Sequence, residues 1–451
     1  MSRPSGFDSE SISPIGAVWR GASEAFRIET PLPRFRRVRL DFPRPKVADL
    51  PAAVFSAMDS VEGSARLGNG KRVAITAGSR GINRISEVLA AVVRRVREYG
   101  GDPFIVPAMG SHGRAIAEGQ VELLAELGVT PESVGAPIEA TMEVVELGRL
   151  PNGMPVYMDR IAAAADAIVV VNRVKPHTDF VGDIESGLSK MTVIGLGKRT
   201  LADAVHRYGT TGLRDLMPEA ARFSVRHSPI AMGVALLENS YDELAEVVGV
   251  PALEIGSPRE MELLARSRDM MARIPFEDID ALIIDEMGKN VSGAGMDTNI
   301  IGRMRIFGVP DRPNPKIRMI TVLNLTKESH GNATGIGLAD VTTRRLAEQI
   351  DFEAVYMNGI TSGIGGLVRC FIPIVAPDDR AAVMTALRCC GRPDTENARV
   401  VRIKNTLKIG EMDISESLFT DVADGIPVTP MSGTFELPFR DRQLVPFEET
   451  I

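Results

Sequence analysis

Cysteine is nearly absent: Cys370, Cys389 and Cys390 are the only three in 451 residues. That excludes a disulfide framework, and no C-x-x-C pair is present, so a reducing, cytoplasmic setting is expected. Long apolar runs are missing too. The longest, Ile161 to Val171, is interrupted by Asp166 and falls short of the ~18 residues of a membrane helix. The first residues (Ser2, Pro4, Ser5, Asp8, Ser9) do not have the basic-then-apolar layout of a signal peptide. Positive charge is not in excess: the net charge is −7, which argues against a nucleic-acid binder but leaves room for a local basic pocket. Several motifs are lacking as well. No G-x-x-x-x-G-K-[ST] is present, and no G-x-G-x-x-G follows a strand, so neither a P-loop nor a dinucleotide fingerprint is expected. H-E-x-x-H and H-x-x-x-H are absent, which makes an ordinary protein-only zinc site unlikely as a reading.

What remains is an ordinary globular composition, 44% apolar and 25% charged. Length allows two or three domains. Residues 1 to about 45 read as an irregular arm with an edge strand whose basic face carries Arg34, Arg36, Arg37 and Arg39. From about 70, short β-branched runs alternate with helical periodicity. Arg72 to Ala77, Phe104 to Pro107 and Ala167 to Val171 read as buried strands, and Ile85 to Tyr99 and Ala115 to Leu127 as helices. A second series follows near 278, with strands at Asp280 to Asp285, Met319 to Leu325, Ala354 to Met357 and Val400 to Ile403, and a helix at Thr342 to Gln349. The helical stretch Glu260 to Arg273 would bridge the two series. The fold class expected is α/β: two α/β domains with mainly parallel sheets and an interdomain active-site cleft. The domains would span 1–275 and 276–451.

There are five histidines, and two are placed alike. His112 lies in MGSHG after one strand, and His177 in RVKPHTDF after another. Loops after parallel strands gather at one edge of the sheet, where ligands bind. Asp179, Asp183, Glu185, Ser186 and Lys190 follow, then MTVIGLGKRT (191–200). The plain reading of Gly195 to Lys198 is a turn before a helix. The functional reading is an anion cradle, with Gly195 and Gly197 admitting a phosphate and Lys198 and Arg199 adding charge. His206 ends the next helix. In the second half, glycine-rich segments at 285–303, 327–340 and 358–366 follow expected strands and would line the cleft. Their charged members, among them Asp285, Lys289 and Arg303, exceed the needs of a turn.

Taken together, Arg80 in TAGSRGINR, His112 in MGSHG, Pro176-His177, Lys190 and His206 resemble the nickel-pincer-nucleotide lactate racemase family. The resemblance covers roughly 15 to 275. It implies an isomerase, a racemase or epimerase inverting C2 of a small 2-hydroxy acid. It also implies a nickel-pincer nucleotide linked covalently through Lys190, with Lys198 as the rival lysine. His206 would be the metal ligand, and His112 and His177 the general acid and base. Arg80 would hold the substrate carboxylate, helped by Lys289 or Arg303. The partners implied are the 2-hydroxy acid, the cofactor-synthesis enzymes and a further copy of the chain, with no nucleic acid and no membrane. Imidazole pKa values near ~6.5 suit the acid–base duties. Two other readings stand beside this one. One is a divalent-metal hydrolase or lyase of a sugar acid, using Asp179, Asp183, Glu185 and Asp285. The other is a non-catalytic binder of a phosphorylated cofactor, in which His112 and His177 would be dispensable.

Overall fold

The computed structural model describes residues 23–79, 81–421 and 425–450. Arg80 lies outside them. The fold is α/β, and the chain divides into two compact units. One holds Phe42–Ala272 with Phe307–Val309; the other holds the chain up to Asp41, Arg273–Ile306 and Pro310–Ile451. The second unit is therefore discontinuous. Its first strand, β1 (Phe35–Leu40), precedes the whole of the other unit in sequence.

The 42–272 unit is built on a five-stranded sheet. Its strands are β2 (Arg72–Ala77), β3 (Asp102–Pro107), β6 (Ala167–Arg173), β7 (Ile230–Glu238) and β8 (Leu244–Pro251); a separate hairpin, β4 (Val144–Arg149) and β5 (Pro155–Asp159), lies between β3 and β6 in sequence. The order is β3-β2-β6-β7-β8, parallel except for the last pair. Each central strand is apolar on both faces, and the period-2 geometry of a strand divides its residues between two cores. Val73, Ile75, Ile105, Val169 and Val171 enter one core. Ala74, Phe104, Val106, Ile168 and Val170 enter the other. Complete burial of such a side chain stabilises by about 1.5–3 kcal/mol. The expected helices form at Ile85–Glu98 and Ala117–Glu126. Glu260 to Arg273 is helical over Pro258–Met270, and that helix lies inside this unit.

The other unit carries an eight-stranded sheet. Its later strands are β9 (Asp278–Ile284), β10 (Lys316–Val322), β11 (Val341–Thr343), β12 (Ile374–Ala376), β13 (Val400–Ile403), β14 (Glu411–Ser415) and β15 (Val428–Pro430). The order is β12-β11-β10-β9-β13-β14-β1-β15. The first five are mutually parallel, and the last three run antiparallel.

Three expectations change here. The arm's strand is not at the edge and does not belong with residues up to 275: β1 pairs with β14 on one side and β15 on the other. Its basic face is partly interior, because Arg37 is buried against Asp413. Ala354 to Met357 is not a strand. It lies in the helix Phe352–Ser362, capped by Asp351, whose carboxylate accepts from Ala354 N. Thr342 to Gln349 divides into β11 and a short helix, Arg344–Ala347.

Candidate functional site

Strands β2, β3 and β6 end together because they are parallel and in register; Ala77 stands beside Pro107. The segments that follow them meet at that edge. After β2 comes Ser79, whose hydroxyl lies against Nδ1 of His112, the residue delivered by the loop after β3. After β6, Lys175 and Ser186 exchange both backbone hydrogen bonds, at 2.9 and 3.2 Å, and so pinch the intervening chain into a closed loop. His177 sits in that loop with its ring mostly covered, 4.7 Å from the Phe180 ring centroid.

Both ring nitrogens of His177 have neighbours. The Asp179 backbone N–H donates to Nδ1 at 3.0 Å, and Nε2 lies 2.5 Å from the Lys190 ammonium nitrogen. Nδ1 is thus the acceptor of one backbone N–H, while Nε2 accepts if Lys190 is an ammonium and donates only to a neutral amine. His112 is held differently. A hydroxyl both donates and accepts, so Ser79 tolerates either tautomer of its partner. The two histidines are thus inequivalent.

Glu185 builds the His177 loop from inside. Its fully buried carboxylate accepts from the backbone N–H of His177 at 2.5 Å, from Gly182 N–H at 3.2 Å and from the Arg268 guanidinium at 2.6 Å. Burial of a carboxylate is tolerable only with such partners. Lys190 stands at the end of a short helix, Leu188–Lys190, which continues as a π-type turn over Met191–Gly195. Glu260 caps it. Its buried carboxylate accepts from Ser189 N–H (2.9 Å), the Ser189 hydroxyl (2.6 Å) and Gly256 N–H (3.0 Å). Burial pushes the Glu260 carboxyl above its ordinary value, against the effect of these donors. A Cβ on Gly187 would fall 2.4 Å from this carboxylate, so glycine is needed there for close approach. Glu260 escaped the sequence reading. In an Arg- and Glu-rich helix it resembles any solvated glutamate, and its Ser189 partner lies 71 positions away.

The next helix, Lys198–His206, ends on an exposed histidine. Nδ1 of His206 donates to the Ala202 carbonyl at 2.6 Å, which leaves the Nε2 lone pair directed away from the helix.

The anion cradle is not what forms between them. The Lys198 side chain is 0% exposed. Its ammonium donates to the Pro107 carbonyl and to Gln120 Oε1, and lies 3.1 Å from the Asp159 carboxylate. Burial lowers its pKa, and Asp159 partly opposes the shift. Gln120 in turn donates to the carbonyls of Gly110 (3.0 Å) and His112 (3.2 Å). Lys198 is therefore a buried brace for the His112 loop, which removes it as rival to Lys190. Gly195 and Gly197 are buried packing positions; a Cβ on Gly195 would lie 2.8 Å from the Ala108 carbonyl oxygen. Arg199 is exposed and pairs with Asp203 one turn on, at 3.4 Å.

In the other unit, Arg303 is consumed by structure. Its guanidinium holds Asp340 at 2.6 Å and the carbonyls of Leu338, Ile317 and Arg318. It is not a substrate ligand in this arrangement. Lys289 reaches the Gly293 carbonyl of its own loop at 2.7 Å. Asp285 is engaged in a bidentate pair with Arg402, at 2.8 and 2.7 Å. With Glu185 bound to Arg268, two of the four carboxylates required for a divalent-cation site are already occupied. Among the described residues, no three His, Cys, Asp or Glu side chains converge to hold a metal ion.

Comparisons with known proteins fall on the same part of the chain. Residues 42–213 match the family model described as the lactate racemase N-terminal domain. That span contains Ser79, His112, His177, Lys190 and His206. Among solved structures, the chain is similar to the lactate racemase apoprotein from Thermoanaerobacterium thermosaccharolyticum. Identity is 12%, with 83% of this chain and 99% of that chain covered and a TM-score of 0.47. It is also similar to a protein from Thermotoga maritima, at 13% identity over 61% of this chain and 69% of that one, with a TM-score of 0.43. Both scores are low, so the α/β assignment rests on the strand orders and registers given above. No curated protein matches the chain. Over residues 42–213, then, the chain is similar to the lactate racemase N-terminal domain.

Proposed function

We propose that this chain is a racemase or epimerase that inverts C2 of a small 2-hydroxy acid, with a nickel-pincer nucleotide linked to Lys190. One observation carries the reading. Within the family-matched residues, the parallel sheet brings the Ser79–His112 pair and the His177–Lys190 pair to one carboxyl edge.

The residues present fit two anchors of such a group. Lys190 offers an amine on a helix end fixed by Glu260. His206 offers an Nε2 lone pair with its tautomer set by Ala202. The cradle expected at Gly195–Arg199 does not fit a phosphate, because Lys198 is spent inside the core.

When bound, the group supplies a hydride acceptor and donor, which spares the enzyme a carbanion at C2. The protein's own part is proton handling and orientation. His112 and His177 would take and return the hydroxyl proton on the two faces of a planar 2-keto acid. Such general acid–base help is worth about 10²–10⁴-fold. His177 has Nδ1 engaged by the Asp179 N–H, so Nε2 is the nitrogen that would exchange the proton. His112 changes tautomer freely beside Ser79, so it begins equally well as base. Arg80 would fork the carboxylate, so that only the C2 substituents exchange places.

The test is intact-protein mass and metal analysis on chain produced together with the cofactor-synthesis enzymes. About one nickel per chain and a mass adduct located at Lys190 are expected, with both lost in Lys190→Ala. An adduct that persists in Lys190→Ala overturns the assignment. Chiral chromatography of lactate, malate and sugar acids incubated with the loaded enzyme then names the substrate.

A further inference from the structure

The helix Phe352–Ser362 presents its apolar stripe outward. Its inner face is small: Val355 and Gly359 pack on the turn at Cys370, whose thiol donates to the Val355 carbonyl, and a Cβ on Gly359 would meet that sulfur at 2.7 Å. Tyr356, Met357 and Ile360 point the other way. Leu367, Phe371 and Ile374 extend the same surface through the following turns to β12, an edge strand. All six are more than half exposed, from Leu367 at 51% to Ile360 at 74%. Between Glu353 and Asp378 the one charged residue is Arg369, and it is buried, donating to the Met304 carbonyl.

By the size of these side chains, the exposed apolar face amounts to roughly 700 Å², close to the area each partner gives up in a stable dimer. Monomers rarely leave more than ~300–600 Å² in one patch. We infer that this face is an isologous interface with a second copy of this chain. A two-fold axis sets a patch against itself, and only an uncharged patch escapes like-charge repulsion there. The want of exposed charge also gives no handle to a partner of opposite sign. The exposed carboxylates at the helix start, Asp351 and Glu353, disfavour an anionic lipid surface. The contact is by side chains and not by sheet extension, because Pro373 and Pro377 flank the three-residue β12 and withhold N–H donors.

Sedimentation of the full chain from about 1 to 100 µM tests this. A two-chain species is expected, with Met357→Glu and Ile360→Glu each weakening it about 100-fold. Leu253→Glu, at a 73% exposed apolar residue in the other unit, should leave it intact. Far-UV circular dichroism checks that the variants fold. Should they not, hydrogen exchange on the unmodified chain still decides, since amides of 352–374 should gain protection as concentration rises. A single-chain species throughout overturns the inference. So does a dimer indifferent to both substitutions, or concentration-independent exchange in 352–374. Binding of the monomer to phosphatidylglycerol vesicles through this face also overturns it.

Discussion

At the scale of single residues, the site depends on buried charges that never touch a substrate. Lys198 satisfies Asp159, Gln120 and the Pro107 carbonyl at once, without exposure to water. Lys198→Met removes the cation and leaves the buried Asp159 carboxylate with only the Ile161 and Ala162 N–H donors, which should cost about 3 kcal/mol. Urea unfolding measures the loss, and a change under ~1 kcal/mol would contradict the brace. Glu260 makes a pH-dependent contribution whose sign follows from its environment. Burial raises its folded pKa above the ordinary value of 4.5. As pH climbs past 4.5, the unfolded chain releases this proton before the folded chain does. Stability therefore falls as pH rises through the window between 4.5 and the raised folded value. Glu260→Gln should flatten that slope, read as urea midpoints from acid to neutral pH. Coincident slopes for the two proteins would rule out the assignment.

At the scale of elements, β1 is fastened by charge as well as by its ladder. Arg37 binds Asp413 at 2.7 and 3.0 Å; Arg402 lies 3.5 Å from the same carboxylate and grips Asp285. Arg37 also lies over the Phe447 ring at 3.6 Å. Arg37→Ala should destabilise by about 3–5 kcal/mol, because Asp413 stays buried with a lone distant cation. Thermal unfolding followed at the 273–450 unit would register it. What the sequence disclosed about such elements follows a physical line. Strands β2, β3, β6 and β9 are runs of apolar residues buried on both faces, so local composition suffices to find them. Ala354 to Met357 has the same composition but starts three residues after a helix cap, and Asp351 decides the outcome. His112 and His177 were legible because each follows such a strand. Lys198 was misread because its partners Asp159 and Gln120 are remote in sequence and no local pattern marks burial. Glu185 and Glu260 were invisible as organisers because most of their donors are backbone N–H groups, which every residue has, and their side-chain donors, Arg268 and Ser189, are remote in sequence.

At the scale of the whole molecule, one unit is an insertion within the other. Residues 42–272 carry two cores of their own around a five-stranded sheet. They should fold as an isolated fragment with a cooperative thermal transition. Residues 273–450 alone would leave β14 and β15 without the strand between them. That fragment should aggregate or stay partly unfolded, and co-expression with residues 23–41 should restore a cooperative transition. A fragment 273–450 that melts cooperatively by itself would refute the dependence. The same insertion sets a timetable during synthesis. Arg37 and Asp413 are 376 positions apart, and at about 5–20 residues per second a ribosome needs roughly 20–75 s to deliver the partner after the strand has emerged. Throughout that interval the nascent β1 must wait with its sheet still unmade. The first strand translated is thus among the last to find its place, and a pause or early stop before residue 411 strands it.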